Sequence, residues 1–227
     1  MNLMKIPIKY VIIFYGDNMR TIQKSYINEI VINKSQFITY LFRVDSIEEV
    51  NEHLANIRKK HYDATHNCYA YILGPNQDLQ KASDDGEPQK TAGFPMLDVL
   101  KKQNLTNILA ITTRYFGGIM LGAGGLIRAY SNSVSEALLT ADIYETKDYM
   151  KLSISVSYSI YSQLESILKD VHILNTFYSD NVDLFIGVDP NTADDLITKI
   201  SNASAGKAVI SKIGIYQMEI LIKHNEF

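Results

Sequence analysis

Asn107-Ile108-Leu109-Ala110-Ile111-Thr112-Thr113 runs directly into Arg114-Tyr115-Phe116-Gly117-Gly118-Ile119-Met120-Leu121-Gly122-Ala123-Gly124-Gly125-Leu126-Ile127-Arg128. The first seven residues are nearly all apolar or β-branched, the signature of a strand buried on both faces. Beyond the glycines, Leu126, Tyr130, Val134, Leu138 and Ala141 recur at three- or four-residue spacing, which predicts a helix with one buried face ending near Asp142. Outward from this unit, Ile22 to Ile32 and Gln36 to Arg43 read as two strands of a hairpin turned at Asn33, Lys34 and Ser35. Ser46 with Glu48 and Glu49 opens a helix whose stripe is Val50, Leu54 and Ile57 and whose basic end is Arg58, Lys59 and Lys60. Thr65 to Leu73 is strand-like, Gly74-Pro75-Asn76 ends it, a polar loop runs to Thr91, and Pro95 opens a short helix to about Lys102.

The second half has a different rhythm. Met150, Leu152, Ile154, Val156 and Tyr158 alternate, Ile160 to Val171 is helical, and Ile173 to Tyr178 and Val182 to Val188 are strands turned at Ser179-Asp180-Asn181. Pro190 and Asn191 open a helix to about Asn202, and Lys207 to Ile222 is strand with an irregularity at Gly214. That order, βαββαβ, is the ferredoxin-like arrangement. The polar run Glu145-Thr146-Lys147-Asp148 sets the boundary, giving an extension at 1–18, an N-terminal domain at 19–147 and a C-terminal domain at 148–227. The fold class is α+β.

A length of 227 residues fits two modest domains, and 46% apolar with 21% charged residues excludes disordered and coiled-coil chains. The net charge of −3 predicts no nucleic-acid partner for the whole chain, so such a role must rest on a local patch. The run Tyr10–Tyr15 is too short for a membrane span or a secretion signal, and the single cysteine, Cys68, cannot form an internal disulfide. A cytoplasmic protein without membrane contact is expected. Charge segregates along the N-terminal domain: residues 63–98 hold six acids and two bases, whereas residues 99–135 hold Lys101, Lys102, Arg114 and Arg128 and no acid.

That basic stretch contains the glycine turn, where free N–H groups and the positive end of a helix dipole invite an anion. It matches neither G-x-G-x-x-G nor a Walker loop, because no Lys-Ser or Lys-Thr follows Gly122, so nucleotide hydrolysis is disfavoured. Either the glycines serve only a tight turn and close packing, or Arg114, Gly117, Gly118, Gly122, Gly124, Gly125 and Arg128 form an anion or nucleic-acid site. Arg128 sits in the first helical turn, where a cation opposes the dipole, and so needs a negative neighbour: an external phosphate, or the chain's own Asp84, Asp85 and Glu87. Those three carboxylates could hold Mg²⁺ or act as an acid-base pair, but they lack EF-hand spacing, and no metal or cofactor is expected. His66 and Cys68, two apart on a strand, share a face and could form a nucleophilic pair or merely pack. His53, His61, His172 and His224 show no ligand spacing.

Taken together, His66-Asn67-Cys68-Tyr69-Ala70-Tyr71, Asp84-Asp85-Gly86-Glu87-Pro88, Thr91-Ala92-Gly93, Pro95-Met96-Leu97, Thr113-Arg114-Tyr115-Phe116-Gly117-Gly118 and Leu121-Gly122-Ala123-Gly124-Gly125-Leu126-Ile127-Arg128-Ala129-Tyr130 resemble the IMPACT family, in its bacterial YigZ branch. The resemblance covers about residues 19–145, and the second half resembles that branch's C-terminal domain. Two positions depart from the pattern: Lys90 stands where glycine is usual, and Met120 where lysine is frequent. The resemblance implies, for the N-terminal domain, the fold of the second domain of ribosomal small-subunit protein five, which elongation factor G also contains. It further implies kinship with eukaryotic translational regulators that compete for the activator of a starvation-sensing kinase through an extra domain this chain lacks. The expectation is a non-catalytic protein that binds RNA, the ribosome or a translation factor, in translational regulation or stress response. A small peptidase-like hydrolase using His66, Cys68 and the Asp84/Asp85/Glu87 loop is the alternative, and a pure protein-interaction module is a third.

Overall fold

The computed structural model describes residues 19–169 and 171–223, so the expected extension at 1–18 and His224 lie outside the described residues. Two compact units divide the chain, one holding Lys147–Met218 and the other holding the described residues before Lys147 together with those after Met218.

The latter unit contains β1 (Arg20–Thr21), β2 (Tyr26–Ile32), β3 (Ser35–Arg43), α1 (Ile47–Lys60), β4 (His66–Leu73), β5 (Leu79–Ser83), α2 (Gly93–Lys102), β6 (Ile108–Tyr115), α3 (Gly122–Leu139) and the start of β7 (Ile143–Val156). Strands β2-β3-β6-β4-β5 make one antiparallel sheet in that order. Alternation along its middle strands explains why they read as unbroken apolar runs. Cys68, Ala70, Ile72, Ile108 and Ala110 pack toward α2 and α3, with Met96, Leu100, Tyr130 and Val134. Tyr69, Tyr71, Leu73, Leu109 and Ile111 pack on the opposite face with Val50, Leu54 and Ile57 of α1. Asn33 and Lys34 take left-handed conformations (φ 47° and 63°), the two-residue turn that suits the twist of a hairpin. At α1, Ser46 Oγ accepts the Glu49 N–H, and the Glu49 carboxylate in turn accepts the Asp45 N–H.

Three expectations shift here. The first hairpin strand starts at Tyr26, not Ile22, because Arg20–Thr21 pair separately with Tyr144 and Glu145 of β7 while Ile22 is buried between the two strands. The loop expected from Gly74 to Thr91 contains β5, whose polar sequence reflects a lone edge position rather than a lack of pairing. Helix α2 begins at Gly93, two residues ahead of Pro95.

The second unit is βαββαβ: the rest of β7, α4 (Tyr158–Leu168), β8 (His172–Tyr178), β9 (Val182–Val188), α5 (Ala193–Ala203) and β10 (Val209–Lys223). Strand β7 lies between β9 and β10, and β8 pairs with β9, the ferredoxin-like order. Alternate residues Leu152, Ile154, Val156, Leu184 and Ile186 form its core with Leu164 and Ile200 of the helices. The polar run at residues 145–148 does not interrupt β7, and Gly214 adopts φ 153° within β10.

The β6–α3 connection carries the glycines that the sequence singles out. A Cβ on Gly117 would lie 2.0 Å from the backbone carbonyl carbon of Lys34, so only glycine lets this turn press against the hairpin. Gly124, in contrast, is helical, and the nearest atom to its missing Cβ is Arg128 Nη1 at 3.8 Å. Gly117→Ala is expected to lower unfolding free energy by about 1–3 kcal/mol. Gly124→Ala should raise it by about 0.5–1 kcal/mol. Urea unfolding of both variants checks the pair; equal effects would contradict this division of the glycines.

Candidate functional site

Parity along β6 decides where its arginine goes. Arg114 lies on the same side as Ala110 and Thr112, facing α3, and its side chain is only 6% exposed. An unpaired cation there is prohibitive. Its Nη1 donates to Glu87 Oε1 at 2.6 Å and its Nη2 to Ser35 Oγ at 3.4 Å. Its Nε has no acceptor, but the guanidinium lies 5.5 Å from the ring centroids of both Phe37 and Phe116, and their π faces supply the remaining stabilisation. Glu87 in turn accepts from Tyr130 Oη at 2.8 Å, and His66 Nε2 stands 3.8 Å from its other oxygen.

The acid-rich loop is built into the fold. Asp84 accepts the N–H groups of Lys90, Ala92 and Gly93, and so supplies the carboxylate that satisfies the first turn of α2. Asp85 accepts the Asn67 N–H at 2.7 Å and pairs with Arg58 at 3.2 Å. The loop needs unusual backbone: Asp85, Gly86 and Lys90 all have positive φ. Lys90 at φ 62° holds a left-handed conformation that glycine would adopt at less cost. With every carboxylate committed, the loop offers no open cation site, and among the described residues no three His, Cys, Asp or Glu side chains group to hold a metal.

His66 and Cys68 do reach the same loop. His66 Nδ1 donates to the Asp85 carbonyl at 2.8 Å, and the Cys68 thiol donates to the Asp84 carbonyl at 3.0 Å. Burial, reinforced by the nearby carboxylates, pushes the Cys68 thiol far above its ordinary range, and it pushes the Tyr130 phenol up as well. A buried thiol held protonated is the opposite of an activated nucleophile. Nothing in this arrangement supports the hydrolase alternative.

The turn after β6 is fixed at three points. Tyr115 Oη bonds His61 and Asp63, Phe116 N–H bonds Thr65 Oγ1, and Gly117 N–H bonds Ser35 Oγ. His61 is itself held between Tyr40 and Tyr115 and favours its neutral form, because burial and Lys60 lower its pKa. Beyond Gly117 the chain opens. Gly118 and Gly122 have positive φ with no atom near their missing Cβ positions, Met120 is exposed, and the first turn of α3 has neither a side-chain cap nor an acid. Arg128 is exposed over that turn and makes no ion pair among the described residues. The residues expected to bind an anion thus separate: Arg114 and Gly117 are internal, while Gly118, Gly122, Gly124, Gly125 and Arg128 surround the open turn. Sequence reading missed Ser35 and Phe37 as partners of Arg114 and Tyr130 as a partner of Glu87; the alternation Ala110-Thr112-Arg114 in a doubly buried strand was the available signal.

This architecture defines a class of two-unit α+β proteins in which an Impact N-terminal domain, matched over residues 33–138, precedes a domain of unknown function (DUF1949), matched over residues 154–207. The chain belongs to the IMPACT family. It is 42% identical over 209 residues to the IMPACT family member YvyE of Bacillus subtilis, covering 90% of this chain and 95% of that one. It is 34% identical to YigZ of Escherichia coli, covering 77% and 88% of the two chains. Protein IMPACT of Rattus norvegicus is 36% identical over 94 residues, 39% of this chain and 29% of the rat protein. A solved structure described as the crystal structure of a hypothetical protein aligns with a TM-score of 0.55 at 30% identity, covering 88% of this chain and 98% of the other.

Two outcomes follow from the buried network. Glu87→Gln leaves the Arg114 cation unmatched and is expected to lower stability by about 3–5 kcal/mol in urea unfolding; a decrease under about 1 kcal/mol would mean that the pair is solvated. Native Cys68 should react with iodoacetamide at pH 8 at least a hundredfold more slowly than in the urea-unfolded chain. A faster native rate would restore the nucleophile reading.

Proposed function

We propose that the protein is a non-catalytic RNA-binding protein that engages phosphate at the start of α3, through Arg128 and the N–H groups around Gly118, Gly122, Gly124 and Gly125. One observation carries this reading. The carboxylates that could have neutralised Arg128 are all engaged elsewhere, on Arg114, on Arg58 and on the first turn of α2. Arg128, expected in the first turn, is the seventh residue of α3 and so lies beyond the reach of the dipole penalty, but its Nη1 folds back to 3.8 Å from where a Gly124 Cβ would stand, and Gly124 occupies a helical position that neither φ nor packing requires to be glycine. The glycine costs the isolated chain helix stability, and both features favour a bound phosphate: the bare turn admits close approach, and the guanidinium supplies charge-assisted hydrogen bonds. The half-exposed Phe94 and Phe116 rings add faces on which unpaired bases stack.

Kinship with the proteins named IMPACT supports placing the RNA in the translation machinery, with a role in translational control under stress. The cell compartment that fits this partner is the cytoplasm; no helix among the described residues is long and apolar enough to cross a membrane.

Fluorescence anisotropy with a labelled single-stranded RNA, titrated from 50 to 200 mM salt, tests the reading. Affinity is expected to fall steeply with salt, and Arg128→Ala to weaken binding about tenfold, the scale of a hydrogen bond to a charged group. The same variant should flatten the salt slope by about 0.7 for each phosphate that Arg128 neutralises. Undetectable RNA binding at 50 mM salt, or binding indifferent to Arg128→Ala, would overturn it.

A further inference from the structure

Along α3, Leu121, Gly125, Arg128, Asn132 and Ser135 recur at intervals of four, three, four and three residues and form one face. Opposite that face stands the β2–β3 turn with Ile32 and Asn33, and a groove of about 670 Å³ lies between them. None of the residues lining it is acidic, and Arg128 is the only charged one. The side chains of Asn33, Arg128, Ser131 and Asn132 make no hydrogen bond with the described residues, so their donors and acceptors are all available to a ligand.

We infer that this groove receives the nucleoside of an RNA nucleotide whose phosphate rests on the first turn of α3, and that Asn33, Ser131 and Asn132 select it. The inference rests on the RNA-binding reading above and assigns it a specificity element. Charge complementarity narrows the occupant: a groove whose one charge is positive and that has no carboxylate attracts an acidic peptide and a nucleic-acid strand alike, and amides and a hydroxyl beside an apolar wall match a base edge and a ribose 2′-OH better than a peptide side chain. The volume falls within the roughly 300–1,000 Å³ of pockets that enclose small organic ligands. Arg128, midway along the groove's helical wall between Gly125 and Asn132, joins the two parts. It contacts backbone phosphate, which carries no sequence information, whereas the two asparagines contact what differs between nucleotides.

Anisotropy with labelled decamers of rA, rC, rG, rU and the deoxy counterpart of the best of them, at 50 mM salt, separates this from the parent reading. The wild type is expected to prefer one ribo-homopolymer over the weakest by at least fivefold, and to prefer RNA over the matching DNA. Asn132→Ala and Asn33→Ala, each checked for unchanged thermal unfolding, should collapse that preference below twofold while leaving the salt slope intact. Arg128→Ala should weaken all decamers alike. Wild-type binding that is salt-dependent but blind to base and sugar, or preferences untouched by both asparagine variants, would overturn the groove assignment and leave the phosphate site standing. No binding to any decamer would overturn both.

Discussion

One buried ion pair, Arg114 with Glu87, ties four segments of the N-terminal unit together. It joins the last residues of the central strand to the acid-rich loop, and that loop cannot lift away without stranding a cation between two phenylalanine rings. Everything adjacent is arranged around the pair. Tyr130 brings α3 onto Glu87, Ser35 brings the hairpin onto Arg114, and the Asp84 and Asp85 carboxylates secure the loop to α2, to β4 and to α1. Such a pair contributes less to net stability than its short distance suggests, since desolvation offsets most of the attraction. Its effect is to fix one arrangement of four chain segments.

The same pair sorts the charges. The two arginines of the basic stretch resolve into one internal cation, matched to a carboxylate, and one external cation with no ion pair among the described residues. Two helices of the same unit begin with opposite treatments: α2 receives the Asp84 carboxylate on its first N–H groups, whereas α3 begins on glycines with no side-chain cap. A fold that neutralises one helix start so thoroughly and leaves the next one bare has kept a positive end unmatched, and the glycines around it keep the backbone reachable.

Much of this was legible from residues alone, for physical reasons that differ by element. The strand Asn107–Thr113 announced its burial on two faces by being apolar at both parities, and the C-terminal βαββαβ unit by alternation that a half-buried sheet demands. Strand β5 was not legible, because an edge strand with exposed side chains has no apolar signal to show. The polar run at 145–148, read as a boundary, lies inside the continuous strand β7, since polarity reports solvent contact and not the end of a strand. At the site, residue types pointed to the right segments but not to their pairing. Glu87 and Arg114 lie 27 residues apart, and only the three-dimensional register determines that this carboxylate, rather than Asp84 or Asp85, meets that guanidinium.

The division between an inner and an outer arginine is the core of the account, and side-chain NMR reads it directly. With a short single-stranded RNA added at low salt, the Nε–H signal of Arg128 and the backbone amides of residues 122–125 should shift, while the Nε–H signal of Arg114 stays in place. Movement of Arg114 Nε–H with Arg128 unmoved would contradict it.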